Sequence, residues 1–254
     1  MPPPPQTRDY KTLYYPESRF GDFTDIDGNV IFYCRVNALL HPDAVVLDVG
    51  CGRGALMEDA VPFRQGLRVL KGKCRKVIGI DVDEEARLNP FLDEFRLITG
   101  DQWPVPDQSV DVVISITVLE HVEHPDAFFA ELSRVLKPGG YLGLLTGNVL
   151  SYGGLISWLI PDKFHCGLLK TMQPRRGEID IFPKYYRFNT VTQIRGMLSK
   201  YGFDHCVYGY EAEPSYFAFS RLLYFLGVLH QRFSPKMIKP AIFAFARKVE
   251  AASS

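Results

Sequence analysis

The stretch from Val45 to Gly54, which reads Val-Val-Leu-Asp-Val-Gly-Cys-Gly-Arg-Gly, constrains the fold more than any other part of the chain. A short β-branched run followed at once by three glycines is typical of a buried strand that turns tightly into a helix. Glycine suits such a corner because its backbone adopts conformations closed to other residues and lets a ligand approach main-chain N–H groups. The pattern indicates a nucleotide-binding corner, and a tight turn in any α/β protein is the alternative.

Length and charge limit the class of protein. The chain has 254 residues, of which 46% are hydrophobic, and one large domain with insertions is the usual arrangement at this length. Lys and Arg total 29 and Asp and Glu also total 29, so no overall positive field attracts nucleic acid. We therefore expect a single globular domain without a nucleic-acid partner.

The cysteines and the N-terminus bear on the compartment. The five cysteines are widely separated and include no C-x-x-C pair, which is typical of reduced thiols in a cytosol; they are Cys34, Cys51, Cys74, Cys166 and Cys206. The N-terminal Met-Pro-Pro-Pro-Pro-Gln lacks the regions of a signal peptide, and no run of about 18 apolar residues could span a bilayer. We expect a cytoplasmic protein, either soluble or peripheral to a membrane.

Apolar segments alternate with helical ones up to Gly147. Strands are predicted from Val45 and at Lys76–Ile80, Phe95–Thr99, Val110–Ile116 and Tyr141–Thr146. Helices are predicted from Asp27-Gly28, at Ala55–Ala60 with an end or kink at Pro62, and at Pro125–Leu136 with a stop at Lys137-Pro138-Gly139-Gly140. Apolar strands that alternate with helices favour a parallel sheet covered on both faces, which is a doubly wound, Rossmann-like α/β fold.

Beyond Gly147 the alternation ends. Residues 148–188 mix glycine, proline, aromatic and charged residues, which predicts an inserted lid. Thr190 caps a following helix that Gly202 ends, and the last strands are predicted at Cys206–Tyr210 and Ala241–Ala246. We divide the chain into a disordered or extended N-terminus, residues 1–20, and a single domain, residues 21–254. Within the domain the core covers about 42–147, the lid about 148–188 and the C-terminal part about 189–254.

The segment Tyr216–Phe233 is apolar almost all round and lies in a basic part of the chain. From Pro214 to Ser254, six basic residues and one acidic residue give a net charge of +5. Apolar and basic side chains together are typical of a membrane surface, with contact through residues 216–239. We favour a helix buried in a lid or a dimer contact, because interfacial helices separate their apolar and polar faces. The oligomeric state stays open.

Several motifs in chain order bear on the nucleotide. Gly50-x-Gly52-x-x-Ala55 fits the fingerprint of nicotinamide dinucleotide enzymes. Asp48 at the first strand, Gly100-Asp101 after the third and the stop at Lys137–Gly140 instead resemble the class I S-adenosylmethionine-dependent methyltransferases. Leu119–Val122 reads Leu-Glu-His-Val, as in one subgroup of them. The resemblance is close over about 44–147 and loose over 188–203, and it implies a seven-stranded, mostly parallel sheet.

The resemblance also implies where S-adenosylmethionine binds. Asp48 would hold the methionine part of the cofactor together with the glycines of the corner, Gly50, Gly52 and Gly54. Asp81 would accept hydrogen bonds from both ribose hydroxyls, a task that suits a carboxylate at a strand end. Asp48 and Asp81 each have an alternative as a turn or cap residue.

Five further residues complete the implied cofactor site. Asp101 would receive the adenine amino group, with Val82 and Gln102 against the ring. Ser115 or Ile116 would supply backbone contacts near the sulfonium. The Asp101 carboxylate also has the alternative of a turn residue. No His, Cys and carboxylate cluster has the spacing of metal ligands, so the sequence implies no metal.

Methyl transfer from a sulfonium mainly requires a nucleophile placed in line and shielded from water, an effect worth about 7 to 11 kcal/mol. An oxygen nucleophile also needs a base, which contributes about 10²- to 10⁴-fold. His121 is the predicted base because Glu120-His121 follows the fourth strand, at the sheet edge where doubly wound folds place their chemistry. His165 in the lid is the second candidate, and a structural role is the alternative for both.

The acceptor is predicted from aromatic and basic residues. Tyr33 and Arg35 are candidates to touch the substrate or the carboxylate end of the cofactor, and Trp158, Tyr185 and Tyr186 offer stacking surfaces. We predict O-methylation of a small or lipid-linked acceptor such as a sugar. A quinone or phenol, methylated on oxygen or carbon, is the nearest alternative. A cofactor-binding or scaffold protein without catalysis and a nicotinamide oxidoreductase are alternatives from other classes.

Overall fold

The computed structural model describes residues 10–154 and 183–249, and within them seven strands form one mixed sheet. The strands are β1 Val45–Val49, β2 Lys76–Asp81, β3 Glu94–Leu97, β4 Val110–Ile116, β5 Leu136–Gly147, β6 Phe203–Tyr210 and β7 Ala241–Lys248. Their order across the sheet is β3-β2-β1-β4-β5-β7-β6. The first five strands are parallel, and β7 is antiparallel to both of its neighbours. The predicted doubly wound, mostly parallel sheet is confirmed.

Six α-helices lie wholly within the described residues, several with a side-chain cap. They are α1 Tyr10–Tyr14, α2 Gly28–Ala38, α3 Pro62–Arg68, α4 Pro125–Val135, α5 Val191–Lys200 and α6 Arg221–Phe233. The Asp27 carboxylate accepts from Val30 N and so starts α2, while the predicted cap Thr190 accepts from Gln193 N and starts α5. Such caps satisfy backbone donors that have no partner within the helix.

Helices cover both faces of the sheet. On one face α4 and α5 contribute Phe129, Leu132 and Ile194, all fully buried, to the larger apolar core. On the other face α2 contributes Phe32 and Val36 to a second core. Burial on both faces explains why the central strands are continuous apolar runs rather than alternating ones.

The prediction of a helix at Ala55–Ala60 is wrong. Only a short 3₁₀ turn forms at Ala55–Glu58, and Pro62 begins α3 rather than ending a helix. Proline is well tolerated in the first helical turn because the N–H that it lacks has no partner there. The Asp59 carboxylate accepts hydrogen bonds from Val61 N and from Arg64, which ties the turn to α3.

The stop before the fifth strand also differs from its predicted form. The helix ends at Val135, one residue before its predicted end, and β5 begins directly at Leu136. Val110 pairs with Leu136 and Val112 with Tyr141, so the Lys137–Gly140 stretch bulges out of the ladder. Gly139 takes a positive φ of +75° within this bulge. Glycine therefore permits a bulge here as well as a helix end.

The C-terminal part departs most from expectation. The predicted helix Tyr216–Phe233 divides into a 3₁₀ turn at Ser215–Phe217 and α6, whose N-cap is Ser220. Large apolar side chains on one side of α6 are exposed, so within the described residues this helix is buried on one side only. None of the described helices has the length and hydropathy needed to cross a membrane.

Candidate functional site

Three glycines shape the corner between β1 and the turn that follows it. Gly50, Gly52 and Gly54 have φ angles of +69°, +55° and +86°, a region that other residues rarely adopt. A Cβ atom at Gly50 would lie 2.3 Å from Val118 Cγ2, whereas one at Gly52 would meet no atom within 4 Å. The corner is therefore closely packed at Gly50 and open at Gly52, where a ligand can reach the backbone.

Asp81 ends β2 beside this corner, and two backbone amides hold its carboxylate. Gly52 N donates to Oδ2 at 2.9 Å and Asp83 N donates to Oδ1 at 3.0 Å. The residue is buried, so these bonds fix the orientation of the carboxylate. Each oxygen keeps further acceptor capacity, because an ionised carboxylate has about four lone-pair sites. The group is therefore poised to accept hydrogen bonds from a diol bound at the corner.

Asp48 and two neighbours form the second part of the corner. Burial and the Asp81 carboxylate raise the pKa of Asp48 to about 7. Tyr33 of α2 is buried nearby, and burial together with Asp48 raises the pKa of its hydroxyl while Arg68 opposes the rise. Arg68 Nε is buried without a hydrogen-bond partner among the described residues. The same guanidinium bonds the Asp59 carboxylate through Nη1 at 3.1 Å, so only its Nε is left over. A buried donor without a partner beside a perturbed carboxyl is typical of a ligand site.

The residues assigned to the adenine lie exposed at the same sheet edge as Asp81. Val82 follows that residue directly, while Asp101 and Gln102 lie in the loop after β3. Ile98 N donates to Asp81 O at 2.8 Å, so this loop starts beside the carboxylate. The structure therefore brings all three residues to the predicted edge, and their contacts with a cofactor stay predictions.

The end of β4 contributes a buried hydroxyl and a strained residue. Ser115 is fully buried, and its Oγ has no hydrogen-bond partner within the described residues. Ile116 ends the strand, and Thr117 follows with a φ of +54°. A β-branched residue in this region is a conformational outlier, and such strain clusters at functional sites. Sequence reasoning missed Thr117 because no local pattern marks a threonine with positive φ.

The Leu119–His121 segment is a 3₁₀ turn that holds the chain where it returns from the predicted lid. Glu120 O accepts hydrogen bonds from Tyr185 N at 2.8 Å and from Tyr186 N at 3.3 Å. The Glu120 carboxylate accepts from Thr146 Oγ1 at 2.8 Å, which ties the turn to β5. The Leu-Glu-His segment thus links the end of β4, the end of β5 and both predicted stacking tyrosines.

His121 itself has a defined tautomer. Its Nδ1 lies 2.7 Å from Pro183 O. A carbonyl oxygen can only accept, so Nδ1 carries the proton, and in the neutral ring Nε2 holds the lone pair. This arrangement suits a base that works through Nε2, as a carboxylate-held histidine does in other enzymes. The same contact also gives His121 a structural role in anchoring Pro183.

The two α2 residues assigned to the substrate do not share one site. Tyr33 lies at the corner, but the Arg35 guanidinium lies over the Phe245 ring, 5.8 Å from its centroid. Arg35 lines a cavity of about 870 Å³ together with Tyr208 and Lys236, at the other end of the sheet. Residues two apart on a helix point to nearly opposite sides, so Arg35 lies away from Tyr33, and a contact of either residue with a substrate stays a prediction.

Two of the predicted site residues, Trp158 and His165, lie outside the described residues. Within the described residues, no group of three or more His, Cys, Asp or Glu side chains is placed to hold a metal ion. The groups that the structure brings together are therefore Asp48, Asp81, the glycine corner and the turn with His121, all at the edge where the parallel strands end.

Comparison with known sequences identifies relatives of this corner. Residues 47–144 match the methyltransferase domain family. A probable S-adenosylmethionine-dependent methyltransferase of Mycolicibacterium smegmatis is 33% identical over 111 residues, which are 42% of this chain and 39% of that protein. The ubiquinone biosynthesis O-methyltransferase of Agrobacterium fabrum is 34% identical over 104 residues, 41% of this chain and 40% of that protein. The chain thus spans about two fifths of the length of these relatives.

A solved structure extends the similarity to most of the chain. Geranyl diphosphate C-methyltransferase from Streptomyces coelicolor A3(2), in complex with Mg²⁺, geranyl-S-thiolodiphosphate and S-adenosyl-L-homocysteine, aligns with a TM-score of 0.52. The alignment covers 86% of this chain and 74% of that chain at 15% sequence identity. At this identity the likeness shows the fold, and chemistry has to be argued from the site.

Proposed function

We propose that this chain, whose residues 47–144 are a class I S-adenosylmethionine-dependent methyltransferase domain, transfers the methyl group of S-adenosylmethionine to an oxygen of a small or lipid-linked acceptor, such as a sugar. The observation that supports the proposal most is the Asp81 carboxylate, which Gly52 and Asp83 fix beside the open corner. When bound, S-adenosylmethionine supplies an electrophilic methyl group on a good leaving group. The protein has to position the acceptor, remove its proton and exclude water.

The groups at the corner fit this donor. Asp81 is placed to accept from the ribose hydroxyls. Arg68 Nε, a buried cationic donor with no hydrogen-bond partner in the described part of the chain, suits the carboxylate of the methionine part. Burial and Asp81 raise the pKa of Asp48 to about 7, and a cationic centre of the donor bound beside it would favour its charged form. The donor carries a diol, a carboxylate and two cationic centres, so each group has a counterpart.

We assign the proton transfer to His121. Pro183 O holds Nδ1 at 2.7 Å and leaves Nε2 as the basic atom. The turn that carries His121 is fixed to β5 through Glu120 and Thr146, so the ring is supported on rigid elements, as a positioned base requires. His165 stays the second candidate, and it lies outside the described residues.

The acceptor is assigned to the side of the corner that Tyr185 and Tyr186 approach. Their backbone amides bind Glu120 O next to His121, and Tyr185 is partly exposed. A partly exposed aromatic ring beside the base suits an acceptor that can stack, such as a sugar ring. This placement supports a small or lipid-linked acceptor that reaches His121 from the predicted lid.

A quinone or phenol is the second candidate acceptor. The relative from Agrobacterium fabrum is named a ubiquinone biosynthesis O-methyltransferase and shares 34% identity over 104 residues. A phenolic hydroxyl ionises more easily than a sugar hydroxyl, so it depends less on a base. Replacement of His121 is therefore expected to slow transfer to a phenol less than transfer to a sugar, which separates the two candidates.

Calorimetric titration with S-adenosylmethionine, S-adenosyl-L-homocysteine and NAD tests the donor. The unmodified chain is expected to bind the first two. Asp81→Asn should weaken that binding at least about tenfold, because a hydrogen bond to a charged group contributes roughly 1.5 to 3 kcal/mol. Glu84→Gln is the matched control, since Glu84 is a nearby exposed carboxylate paired with Arg87. Binding of NAD in place of S-adenosylmethionine would overturn the proposal.

Methyl transfer is then measured with labelled S-adenosylmethionine against sugar, lipid-linked sugar, phenol and quinol acceptors. Transfer to one class identifies the acceptor. Tight binding of the methyl donor without transfer to any of them would favour the non-catalytic alternative.

A further inference from the structure

Helix α6 is fixed on the protein by one of its sides. Tyr224 and Val228 are almost fully buried, and the Tyr14 ring stacks on Tyr224 with centroids 5.7 Å apart. His230 Nδ1 lies 2.8 and 3.0 Å from the two carboxylate oxygens of the buried Glu211. Packing at two points and a bond to a buried carboxylate set the rotation of the helix about its axis.

The opposite side of α6 exposes large apolar side chains to solvent. Leu222 is 66% exposed and Phe233 is 78% exposed, and Leu226 and Leu229 between them are also exposed. The spacing i, i+4, i+7 and i+11 places these four residues in one stripe along the helix. The solvent-facing side of a surface helix is normally polar. On α6 this side is apolar, which is unusual for a helix that packs only on its own protein.

The apolar surface extends beyond α6. Residues before and after the helix that are also large, apolar and exposed are Tyr216, Phe219 and Met237. Phe225 widens the stripe on α6 itself. We call these residues, with Leu222, Leu226, Leu229 and Phe233, the α6 face. Contiguous exposed apolar surface of this kind marks a site of interaction.

The charges around the α6 face select its partner. Arg221 and Arg232 are exposed and lie within about 20° of each other on the helical wheel, at one border of the stripe. Lys236 follows shortly after the helix, but its ammonium group lies over the Tyr208 ring, 5.8 Å from the centroid, on the side of the cavity that Arg35 lines. The chain from Pro214 to Val249 contains no acidic residue. The face therefore combines apolar side chains with two exposed arginines.

We propose that the α6 face binds the surface of a lipid bilayer that contains anionic lipids. Apolar side chains would enter the boundary between headgroups and acyl chains, while Arg221 and Arg232 contact anionic headgroups. A second copy of the chain fits less well. A two-fold contact presents the same patch from both subunits. It would therefore bring the arginines of both copies together, and the segment from Pro214 to Val249 has no acidic residue to pair with them.

Contacts at the packed side of helix α6 also connect it with the end of the sheet that carries the candidate site. Tyr152, five residues after β5, contacts the rings of Phe217 and His230, with centroid distances of 5.7 and 5.0 Å. Glu211 directly follows β6, at the same sheet edge as Gly147. A bilayer on the α6 face would therefore lie on the acceptor side of the protein. The idea that the bilayer delivers a lipid-borne acceptor to the site rests on the proposed function. The proposal that the α6 face binds a bilayer does not.

Flotation with phosphatidylcholine vesicles, with and without phosphatidylserine, tests the proposal on the full chain. We expect binding only to the anionic vesicles, and weaker binding at higher salt because exposed charges are screened. The double variant Leu222→Glu/Leu226→Glu should lose at least about tenfold in vesicle affinity, since it places two anions on the surface that meets the lipid. Val249→Glu is the matched control, an exposed apolar residue that follows β7 at the opposite edge of the sheet.

The outcomes distinguish the occupants of the face. Circular dichroism melting and calorimetry with S-adenosylmethionine are run on every variant and should not change. If the unmodified chain does not bind anionic vesicles and the double variant converts a dimer into a monomer, the face joins two copies and the proposal fails. A monomeric protein that does not bind anionic vesicles also overturns the proposal. If the unmodified chain does not bind S-adenosylmethionine, the proposed function is rejected, whereas the proposal of membrane binding is not affected.

Discussion

The glycine corner and helix α6 both leave groups without the partners that a folded protein usually provides, but the groups are of opposite kinds. At the corner they are polar, such as the buried Arg68 Nε and Ser115 Oγ, which have no hydrogen-bond partner among the described residues. On α6 they are apolar, such as Leu222 and Phe233 in solvent. The first kind indicates a small ligand with charged groups, and the second an extended apolar partner. The two proposed binding surfaces therefore differ in the chemistry of the partner that each would take.

The two surfaces also differ in what fixes them. The corner depends on backbone conformation, since Gly50 has a positive φ and no room for a Cβ beside Val118. The α6 face depends on side-chain packing behind it, at Tyr224 and Glu211. Substitutions at the corner should therefore affect folding and donor binding together, whereas substitutions on the α6 face should affect neither.

The largest effect is expected at His121. His121→Ala should lower turnover with a sugar acceptor about 10²- to 10⁴-fold, because it removes the base, and should leave donor affinity nearly unchanged. His121→Asn separates catalysis from anchoring, since its amide can still donate to Pro183 O but has no basic nitrogen. The measurement is single-turnover kinetics, with the exposed His124→Ala as control. Full activity in the Asn variant would leave His121 with the anchoring role alone.

Gly50→Ala should destabilise the fold. Positive φ costs a non-glycine residue roughly 1 to 2 kcal/mol, and crowding against Val118 adds about 1 to 3 kcal/mol. The double variant Gly50→Ala/Val118→Ala should regain the free energy of unfolding that is lost to crowding, but not the part that is lost to the strained backbone. Gly66→Ala in α3, where a Cβ meets no atom within 4 Å, should instead stabilise by roughly 0.5 to 1 kcal/mol. Urea unfolding measures all three, and equal stability of Gly50→Ala and the unmodified chain would contradict the packing described at the corner.

Asp48→Asn should make the ligand-free protein more stable at high pH. The folded pKa of Asp48, about 7, lies above its unfolded value, so the native state holds the proton more tightly. Stability from this group is complete below the unfolded pKa and is lost as the pH rises through about 7. The variant should gain more than about 1.4 kcal/mol at pH 8, the value of one pKa unit, and close to nothing at pH 4. Melting curves across this range give the answer, and a gain independent of pH would reject the raised pKa.

The smallest effect is expected from single charges on α6. Arg221→Gln and Arg232→Gln should each weaken binding to anionic vesicles about fivefold, because a basic side chain near such a surface contributes about 1 kcal/mol. Neither should change donor binding. Lys73→Gln is a control at a lysine far from α6, since its ammonium group contacts Asn37 and Gly66. Equal losses in all three variants would mean that total charge, rather than the α6 face, drives the attraction.

Much of the sheet could be predicted because its signals are local. The observed bounds of β4, Val110–Ile116, equal the predicted ones, since a central strand buried on both faces is an unbroken apolar run. Asp81 could be placed at a strand end for the same reason, and the Thr190 cap follows from the hydroxyl itself. Each of these features depends on residues close in sequence.

The remaining features depend on tertiary contacts. The sequence analysis interpreted Tyr216–Phe233 as apolar almost all round, and the burial of Tyr224 and Val228 and the bond between His230 and Glu211 show which side of α6 faces solvent. Arg35 was grouped with Tyr33 by sequence proximity, although the helix turns them apart. The left-handed Thr117 has no signal in its own residue type. Sequence patterns therefore located the elements of the site more reliably than the directions of its side chains.

The position of β7 has a consequence for how the chain acquires its structure during synthesis. β7, Ala241–Lys248, lies between β5 and β6 and pairs with both. A ribosome delivers β6 before this central partner exists, so β6 has no strand to join until Lys248 has emerged. Pairings between segments so distant in sequence form slowly and expose strand edges in the meantime. The sheet can therefore close only after translation has passed Lys248, and chains shortened before this point leave β5 and β6 with open edges.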